Sequence, residues 1–270
     1  MGKTYQPPFE EKQRRWVSKQ KVFFVASAPL SPSNRVNVSP KSAAEFRFVD
    51  DSTVGYVDLT GSGSETAAHI METSRITIMF VAFEGAPKIM RFYGRAEFVT
   101  PEEIFHDPRR AHLRDIWGLD STDEWDAMVT ARSIILLHVD RYSDSCGYSI
   151  PIYNYVKERT TLTDASTGQD LDAYRSKANA FSIDGLKSFA QVLYDDIPPK
   201  RMEENGLYIG PEDWKGAAPG VISRVLGRMR VRLLMLWASG LNGRQRDAVF
   251  FMLGCFFVHA ARRSLARISA

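Results

Sequence analysis

Short segments of β-forming residues, separated by turn residues, dominate the chain between residues 21 and 142. Six or seven such segments occur, and the clearest are KVFFVAS at 21–27, RITIMFVAF at 75–83 and IMRFYGRAEFV at 89–99. Only two helical stretches intervene, so the alternating βαβ units of a dinucleotide-binding fold are not indicated. The sequence predicts a mainly β (α+β) fold built around a small closed antiparallel barrel.

Composition changes at both ends of this β-rich part. Residues 1–20 contain a prolyl pair followed by a short helical pattern, which predicts an N-terminal helical arm. Residues 195–220 hold four prolines and four glycines and predict a linker. Residues 221–270 predict two helices joined by a short turn, a C-terminal helical hairpin. The barrel domain is therefore expected to span residues 21–194.

The formal net charge of +3 hides an asymmetry between these parts. Residues 221–270 contain nine arginines, no lysine and one acid, so they carry +8 and leave −5 for the first 220 residues. Three explanations stay open for this Arg-rich hairpin. Its arginines pair with the acidic barrel, or they contact an anionic membrane surface or a partner. Nucleic acid is disfavoured, because aromatic residues that could stack on bases are not interleaved with the arginines.

Cysteine content and hydropathy favour a cytoplasmic protein. Two cysteines, Cys146 and Cys255, cannot build a disulfide framework or a Cys-based zinc site, which indicates a reducing compartment. The N-terminus lacks the apolar region of a secretory signal. The longest apolar stretch, 248–261, has 14 residues and predicts a buried helix rather than a membrane span. Peripheral membrane contact through the C-terminal helices stays open.

The sequence LTGSGSET at residues 59–66 lies between a predicted strand and a predicted helix. Its hydroxyl groups and glycine N–H groups precede a helix N-terminus, where phosphate binds readily. An ordinary N-capped loop, with Ser62 or Ser64 as the cap, explains the same pattern, and both explanations stay open. The spacing and the lysine of a P-loop are absent, so a nucleoside triphosphatase is not indicated.

Asn37, Ser39 and Lys41 alternate onto one face at the end of another predicted strand. They place an amide, a hydroxyl and a cation in a row. Pro40 cannot donate to a strand ladder and indicates an edge strand. The same alternation is also explained by an edge strand whose outer face is simply polar, without a ligand site.

Five segments in this order, FFVASAP, VNVSPK, YVDLTGSGSETAAHI, RITIMF and IMRFYGRAEFV, resemble the pyridoxamine 5′-phosphate oxidase-like family over about residues 20–190. The resemblance implies a six-stranded antiparallel split β-barrel that forms a homodimer, with one FMN in each of two clefts at the subunit interface. It also implies two sets of cofactor contacts. Along the flavin these are Asn37, Val38, Ser39 and Lys41, and at its phosphate end they are Thr60, Gly61, Ser62, Ser64 and Thr66.

The chain departs from the pyridoxamine-phosphate oxidases proper directly after the loop. Where those enzymes have an Arg-Lys pair, Glu65 and Thr66 stand here, so two cations that neutralise the phosphate are missing. Lys41, Arg35 and Arg75 are the candidates to compensate. The C-terminal segment with which those oxidases hold their substrate is not recognisable either, which argues against vitamin B6 oxidation.

We therefore expect an FMN-dependent oxidoreductase that acts on a small organic substrate by hydride transfer at the flavin, with NAD(P)H or oxygen as redox partner. A non-catalytic flavin- or haem-binding protein and a membrane-peripheral dimeric adaptor stay open. No residue is predicted to be catalytic, because in flavin enzymes the cofactor carries the chemistry. No HExxH motif or carboxylate–histidine spacing occurs, so no metal site is predicted.

Overall fold

The computed structural model describes residues 2–188. The predicted linker 195–220 and the predicted Arg-rich hairpin 221–270 lie outside the described residues, as do the last residues of the predicted barrel domain. Within residues 2–188, no helix is both long enough and apolar enough to cross a membrane.

Eight strands form one antiparallel sheet in this part of the chain. They are β1 (Lys3–Tyr5), β2 (Val22–Ser27), β3 (Asn37–Ser42), β4 (Phe46–Phe48), β5 (Thr53–Leu59), β6 (Arg75–Val81), β7 (Ile89–Val99) and β8 (Ala131–Ser145). Their order is β3-β2-β6-β7-β8-β5-β4, and β1 pairs with β8 outside this path. The sheet curls into a half-barrel, which confirms the predicted mainly β split barrel. The predicted closure is not seen within residues 2–188, because the end strands β3 and β4 do not pair with each other. Six strands have six or more residues, and β1 and β4 add three each.

Seven short α-helices flank the sheet within the same residues. They are α1 (Glu11–Val17), α2 (Glu65–Thr73), α3 (Pro101–His106), α4 (Ala111–Trp117), α5 (Thr122–Ala127), α6 (Thr161–Ser166) and α7 (Leu171–Ala178). Thr100 opens α3 with a capping box to Glu103, as the TPEE pattern indicates. Ser64, the second of the two candidates, is the N-cap residue of α2, although its side chain makes no capping hydrogen bond.

The N-terminal segment differs from the predicted helical arm. Only Glu11–Val17 is helical, and Lys3–Tyr5 pairs with β8. Phe9 is buried in the barrel core, and the ring of Tyr5 stacks on that of Tyr142 at 5.0 Å. These residues belong to the barrel because their apolar side chains find partners on a strand more than 130 positions away.

The apolar core has two parts that share β8. Ile135 and Leu137 face the aromatic interior of the barrel, and Ile134 and Leu136 face a second cluster formed with α3, α4 and α5. Burial on both faces explains why this strand is a continuous apolar run rather than an alternating one. By contrast, β2 alternates between half-buried and buried residues, and its buried face points into the barrel.

Candidate functional site

The loop between β5 and α2, residues 60–64, is the predicted Gly/Ser turn. The N–H of Thr60 donates to the carbonyl of Thr130 (2.7 Å), which ties the start of the loop to the entry of β8. Thr60 and Ser64 are buried, whereas Ser62 is exposed. No residue between 2 and 188 accepts a hydrogen bond from the backbone N–H groups of residues 61–67. These donors precede or open α2, where the helix dipole favours an anion.

Residues predicted on β3 and in the loop lie next to each other. β3 pairs with β2 in a register that places Asn37 and Ser39 on the face that points into the barrel. Asn37 Nδ2 donates to Thr66 Oγ1 (3.3 Å) and to Ser39 Oγ (3.2 Å). Val38 lies on the opposite face and is exposed. The fold thus brings Asn37, Ser39 and Thr66 together and leaves the side chain of Val38 apart from them.

Lys41, the predicted cation of β3, is paired with a buried acid. Its Nζ lies 3.1 Å from Oδ1 of Asp58, and Nε of Arg132 lies 2.7 Å from Oδ2. Burial alone would raise the pKa of Asp58, but the charges of Arg132 and Lys41 outweigh burial and hold that pKa below its ordinary value. Two cations share one carboxylate, so one net positive charge remains in this cluster.

Arg132 and Asn179 together hold the carbonyl groups of the loop. Arg132 Nη1 donates to the carbonyl of Gly63 (3.1 Å) and to Oδ1 of Asn179 (2.7 Å). Asn179 Nδ2 donates to the carbonyl of Gly61 (3.0 Å). The hydroxyl of Ser64 donates to the backbone carbonyl of Asn179 (3.0 Å). We call Arg132 and Asn179 the loop clamp.

The loop clamp sets the direction of two N–H groups. In a trans peptide, the carbonyl of one residue and the N–H of the next point in opposite directions. Because the carbonyls of Gly61 and Gly63 point to the clamp, the N–H groups of Ser62 and Ser64 point away from it. The loop thereby presents two backbone N–H donors on the side away from the clamp, where an anion can bind.

Arg175 of α7 supports the start of the loop. Its Nε donates to Thr60 Oγ1 (2.9 Å), and its Nη2 donates to the carbonyl of Ala131 (2.8 Å). The hydroxyls of Thr60 and Ser64 are therefore buried and bonded within the chain. The hydroxyls of Ser62 in the loop and of Thr66 in α2 donate to no other residue in the range 2–188, so each has a proton to offer a ligand.

Glu65 is directed to a segment near the end of the described chain. Both of its carboxylate oxygens accept from the N–H of Ile183 (2.9 and 3.1 Å). The adjacent Asp184 accepts from the N–H of Arg35 (2.6 Å) and from its guanidinium. Burial raises the pKa of Glu65, and the Asp184 carboxylate adds to the rise. Arg35, a candidate to replace the missing Arg-Lys pair, is thus already paired with an acid.

His69 of α2 is fully buried behind the loop. Its Nδ1 lies 2.9 Å from the hydroxyl oxygen of Ser27. Its Nε2 has no hydrogen-bond partner in the described part of the chain. Burial lowers the pKa of His69, so the imidazole is neutral at pH 7. Among residues 2–188, no group of three or more His, Cys, Asp or Glu side chains could hold a metal ion.

Asp58, Arg132, Arg175 and Asn179 were not singled out by sequence reasoning. A signal existed for the first two, because each is a charged residue within an apolar strand sequence, YVDL and ARSIILL. Charges buried in this way require partners. No local pattern marks Arg175 or Asn179, because they follow the loop by more than 100 residues.

A family model of pyridoxamine 5′-phosphate oxidase matches residues 9–146, which include β3, the loop and α2. The chain belongs to the pyridoxamine 5′-phosphate oxidase family. The predicted resemblance is thereby confirmed. This family member is 30% identical over 200 residues to the pyridoxamine 5′-phosphate oxidase family protein ustO of Aspergillus flavus, which covers 67% of this chain and 76% of that protein.

Solved structures that match the chain include three with low sequence identity. An H111A variant of HupZ from Group A Streptococcus has 21% identity and a TM-score of 0.37, covering 50% of this chain and 98% of that one. The heme storage protein HutZ from Vibrio cholerae has 14% identity and a TM-score of 0.36, with 52% and 96% covered. A FAD-binding protein from Mesorhizobium loti has 13% identity and a TM-score of 0.33, with 54% and 99% covered.

Proposed function

We propose that this chain binds FMN between β3 and the loop 60–64 and acts as an FMN-dependent oxidoreductase on a small organic substrate. The observation that carries the proposal is the hydrogen bond from Asn37 of β3 to Thr66 of α2 (3.3 Å). It joins the two segments that family resemblance assigns to the flavin and to its phosphate. A strand and a helix start that are separate in sequence thereby form one polar surface.

The residues present fit a phosphate group that is held mainly by neutral donors. The N–H groups of Ser62 and Ser64 point away from the loop clamp, and the hydroxyls of Ser62 in the loop and Thr66 in the first turn of α2 add two more donors. Lys41 and Arg132 leave one net positive charge after their pairing with Asp58. The Arg-Lys pair that follows the loop in the oxidases proper is missing here, so we expect weaker FMN binding than in those enzymes.

The chain's own residues bind and orient the cofactor. Asn37 and Ser39 offer an amide and a hydroxyl along β3, and the loop offers its N–H groups at the phosphate end. When bound, FMN supplies hydride transfer at its N5 atom, with NAD(P)H or oxygen as the second redox partner. Vitamin B6 oxidation is not part of the proposal, because the substrate-holding segment of those oxidases is not recognisable in this sequence.

We also propose that two copies of the chain complete each cleft. β3 is the last strand of the sheet path, so one of its edges lacks a partner strand within residues 2–188. Val36 and Val38 are 69% and 60% exposed there. Exposed apolar side chains on an unpaired edge favour contact with another chain. A second copy that covers them places the flavin at the subunit interface.

The test is the absorption spectrum of the purified protein, followed by reduction without oxygen. If flavin bands are present, NADPH or NADH bleaches them and air restores them, the oxidoreductase is supported. Flavin bands that neither nucleotide bleaches favour a non-catalytic flavin-binding protein. A Soret band favours haem binding, and no band after incubation with FMN favours the dimeric adaptor; either result overturns the proposal. Mass spectrometry of the released cofactor separates FMN from other flavins.

A further inference from the structure

A separate cavity lies at the opposite end of β2 from the loop. It has a volume of about 620 Å³, and its walls include Val22 of β2 and Val81 of β6. The loop lies toward the other end of β2, where Ser27 contacts His69 of α2. Five residue steps separate Val22 from Ser27, about 16 Å along an extended strand. Lys41 of the cleft pairs with Phe23, and Val22 points to the opposite face of β2 from Phe23. The cavity is therefore distinct from the cleft between β3 and the loop.

Three chain segments fix the aromatic walls of this cavity. Trp16 comes from the end of α1, Phe83 from the turn between β6 and β7, and Tyr153 and Tyr155 from the extended segment after β8. The N–H of Tyr153 donates to the carbonyl of Phe83 (3.0 Å), and their ring centres lie 5.5 Å apart. The N–H of Tyr155 donates to the carboxylate of Glu84 (2.7 Å). These bonds hold the walls in place without a ligand, and the volume is that of a small-molecule site.

Basic side chains outnumber acidic ones at the rim. Lys19 and Lys21 both line the cavity, and Lys21 Nζ lies 5.3 Å from the ring centre of Tyr155. Glu84 is the one acidic residue of the lining in the described part of the chain. One of its carboxylate oxygens already accepts the Tyr155 N–H. The rim therefore offers positive charge to an incoming group.

We propose that this cavity binds a flat aromatic anion, such as an aromatic carboxylate. The four aromatic side chains supply an apolar lining against which a planar ligand can pack. Lys19 and Lys21 form charge-assisted contacts with its anionic group at the rim. The rings alone would accept an aromatic cation as well, so the lysines determine the sign of charge that the site selects. This site is independent of the proposed flavin cleft.

The test uses the full-length protein and two naphthalene probes, 2-naphthoate and 2-naphthylmethylammonium, which share a ring system and differ in charge. Isothermal titration calorimetry measures both affinities. We expect 2-naphthoate to bind about tenfold more tightly than the ammonium probe. We expect Lys21→Glu and Tyr155→Ala each to lower the affinity for 2-naphthoate about tenfold. This is the change that one ion pair or one ring contact supplies. Both positions are exposed, so thermal melting should show an intact fold.

Two matched control variants locate the effect. Lys157→Glu makes the same charge change, and Tyr148→Ala the same truncation, at exposed positions outside the cavity lining. Weakened binding in the two cavity variants with unchanged binding in the controls supports the proposal. Equal affinity for both probes, equal affinity across all four variants, or no binding of 2-naphthoate overturns it.

Discussion

Asn179 Nδ2 donates a hydrogen bond to the carbonyl oxygen of Gly61, 3.0 Å away, across 118 positions of sequence. The same side chain accepts from Arg132 through Oδ1 at 2.7 Å, so both ends of its amide are engaged. Because the Gly61 carbonyl is held here, the N–H of Ser62 faces the other way. A residue that follows α7 thus orients the turn that follows β5.

Asn179→Ala tests this relationship. The substitution removes the donor to Gly61 and an acceptor of the buried Arg132 side chain, so we expect the free energy of unfolding to fall by about 1–3 kcal/mol. The loop loses its orientation, and we expect the affinity for FMN to fall about tenfold. Denaturant unfolding and a flavin fluorescence titration measure the two effects.

Asn179→Asp is the control for that experiment. It keeps an acceptor for Arg132 and removes the donor to Gly61, so the loop should loosen with a smaller loss of stability. The ¹⁵N order parameters of residues 60–64 report this loosening without any cofactor. Order parameters that equal those of the wild type in both variants would contradict the role of the loop clamp.

Lys41→Met tests the charge of the proposed flavin cleft. The substitution leaves Arg132 and Asp58 as a neutral pair, and we expect about a tenfold loss of FMN affinity. Combined with Ser64→Ala, which breaks the bond to the Asn179 carbonyl, it should abolish FMN occupancy while the dimer stays intact. The ratio of flavin to protein absorbance after gel filtration measures occupancy. Lys157→Met is the control, and unchanged occupancy in the double variant argues against this placement of FMN.

Val38→Lys tests the proposed dimer. A charged side chain on the exposed face of the edge strand opposes its pairing with a second chain, so we expect a monomer with an unchanged melting temperature. Size-exclusion chromatography with light scattering gives the mass. Val129→Lys changes a valine that is 39% exposed and outside β3, and it should remain dimeric. If the Val38→Lys protein still dimerises, the β3 edge is not the dimer interface.

Glu97 should contribute an acid-sensitive part of the stability. Glu97 accepts a hydrogen bond from His138 (2.9 Å) and further bonds from Arg110. These contacts outweigh the opposing effect of burial and hold the pKa of Glu97 at about 2, below its ordinary 4.5. Because the folded-state pKa is lowered, this stabilisation is fully present above pH 4.5 and is lost as the pH falls toward 2. Glu97→Gln should flatten the pH dependence of the unfolding free energy in that window.

Glu102→Gln provides the comparison for Glu97→Gln. Glu102 is exposed on α3 and makes no ion pair with another residue in the range 2–188. Its substitution removes one exposed carboxylate without removing an ion pair, so it serves as the matched control. If Glu97→Gln shows the wild-type slope, the ion pairs of Glu97 do not stabilise the fold.

Local patterns predicted most of the sheet. The β-forming segments at 21–27, 75–83 and 89–99 form β2, β6 and β7. Pro40 predicted an edge strand, and β3 lies at the end of the sheet path. β1 could not be predicted, because three residues are too few for a period and the strand exists only through its pairing with β8.

Neighbouring residues are enough to specify most of the strands, the Gly/Ser turn and the start of α2, because β-forming runs, turns and caps depend on local sequence. What surrounds the turn depends on the three-dimensional fold. The fold places the loop clamp on the turn's carbonyls, brings Glu65 to Ile183 and makes Lys41 share Asp58 with Arg132. Buried charges and amides must be paired wherever in the chain their partners lie, and partners more than 100 residues away leave no local pattern.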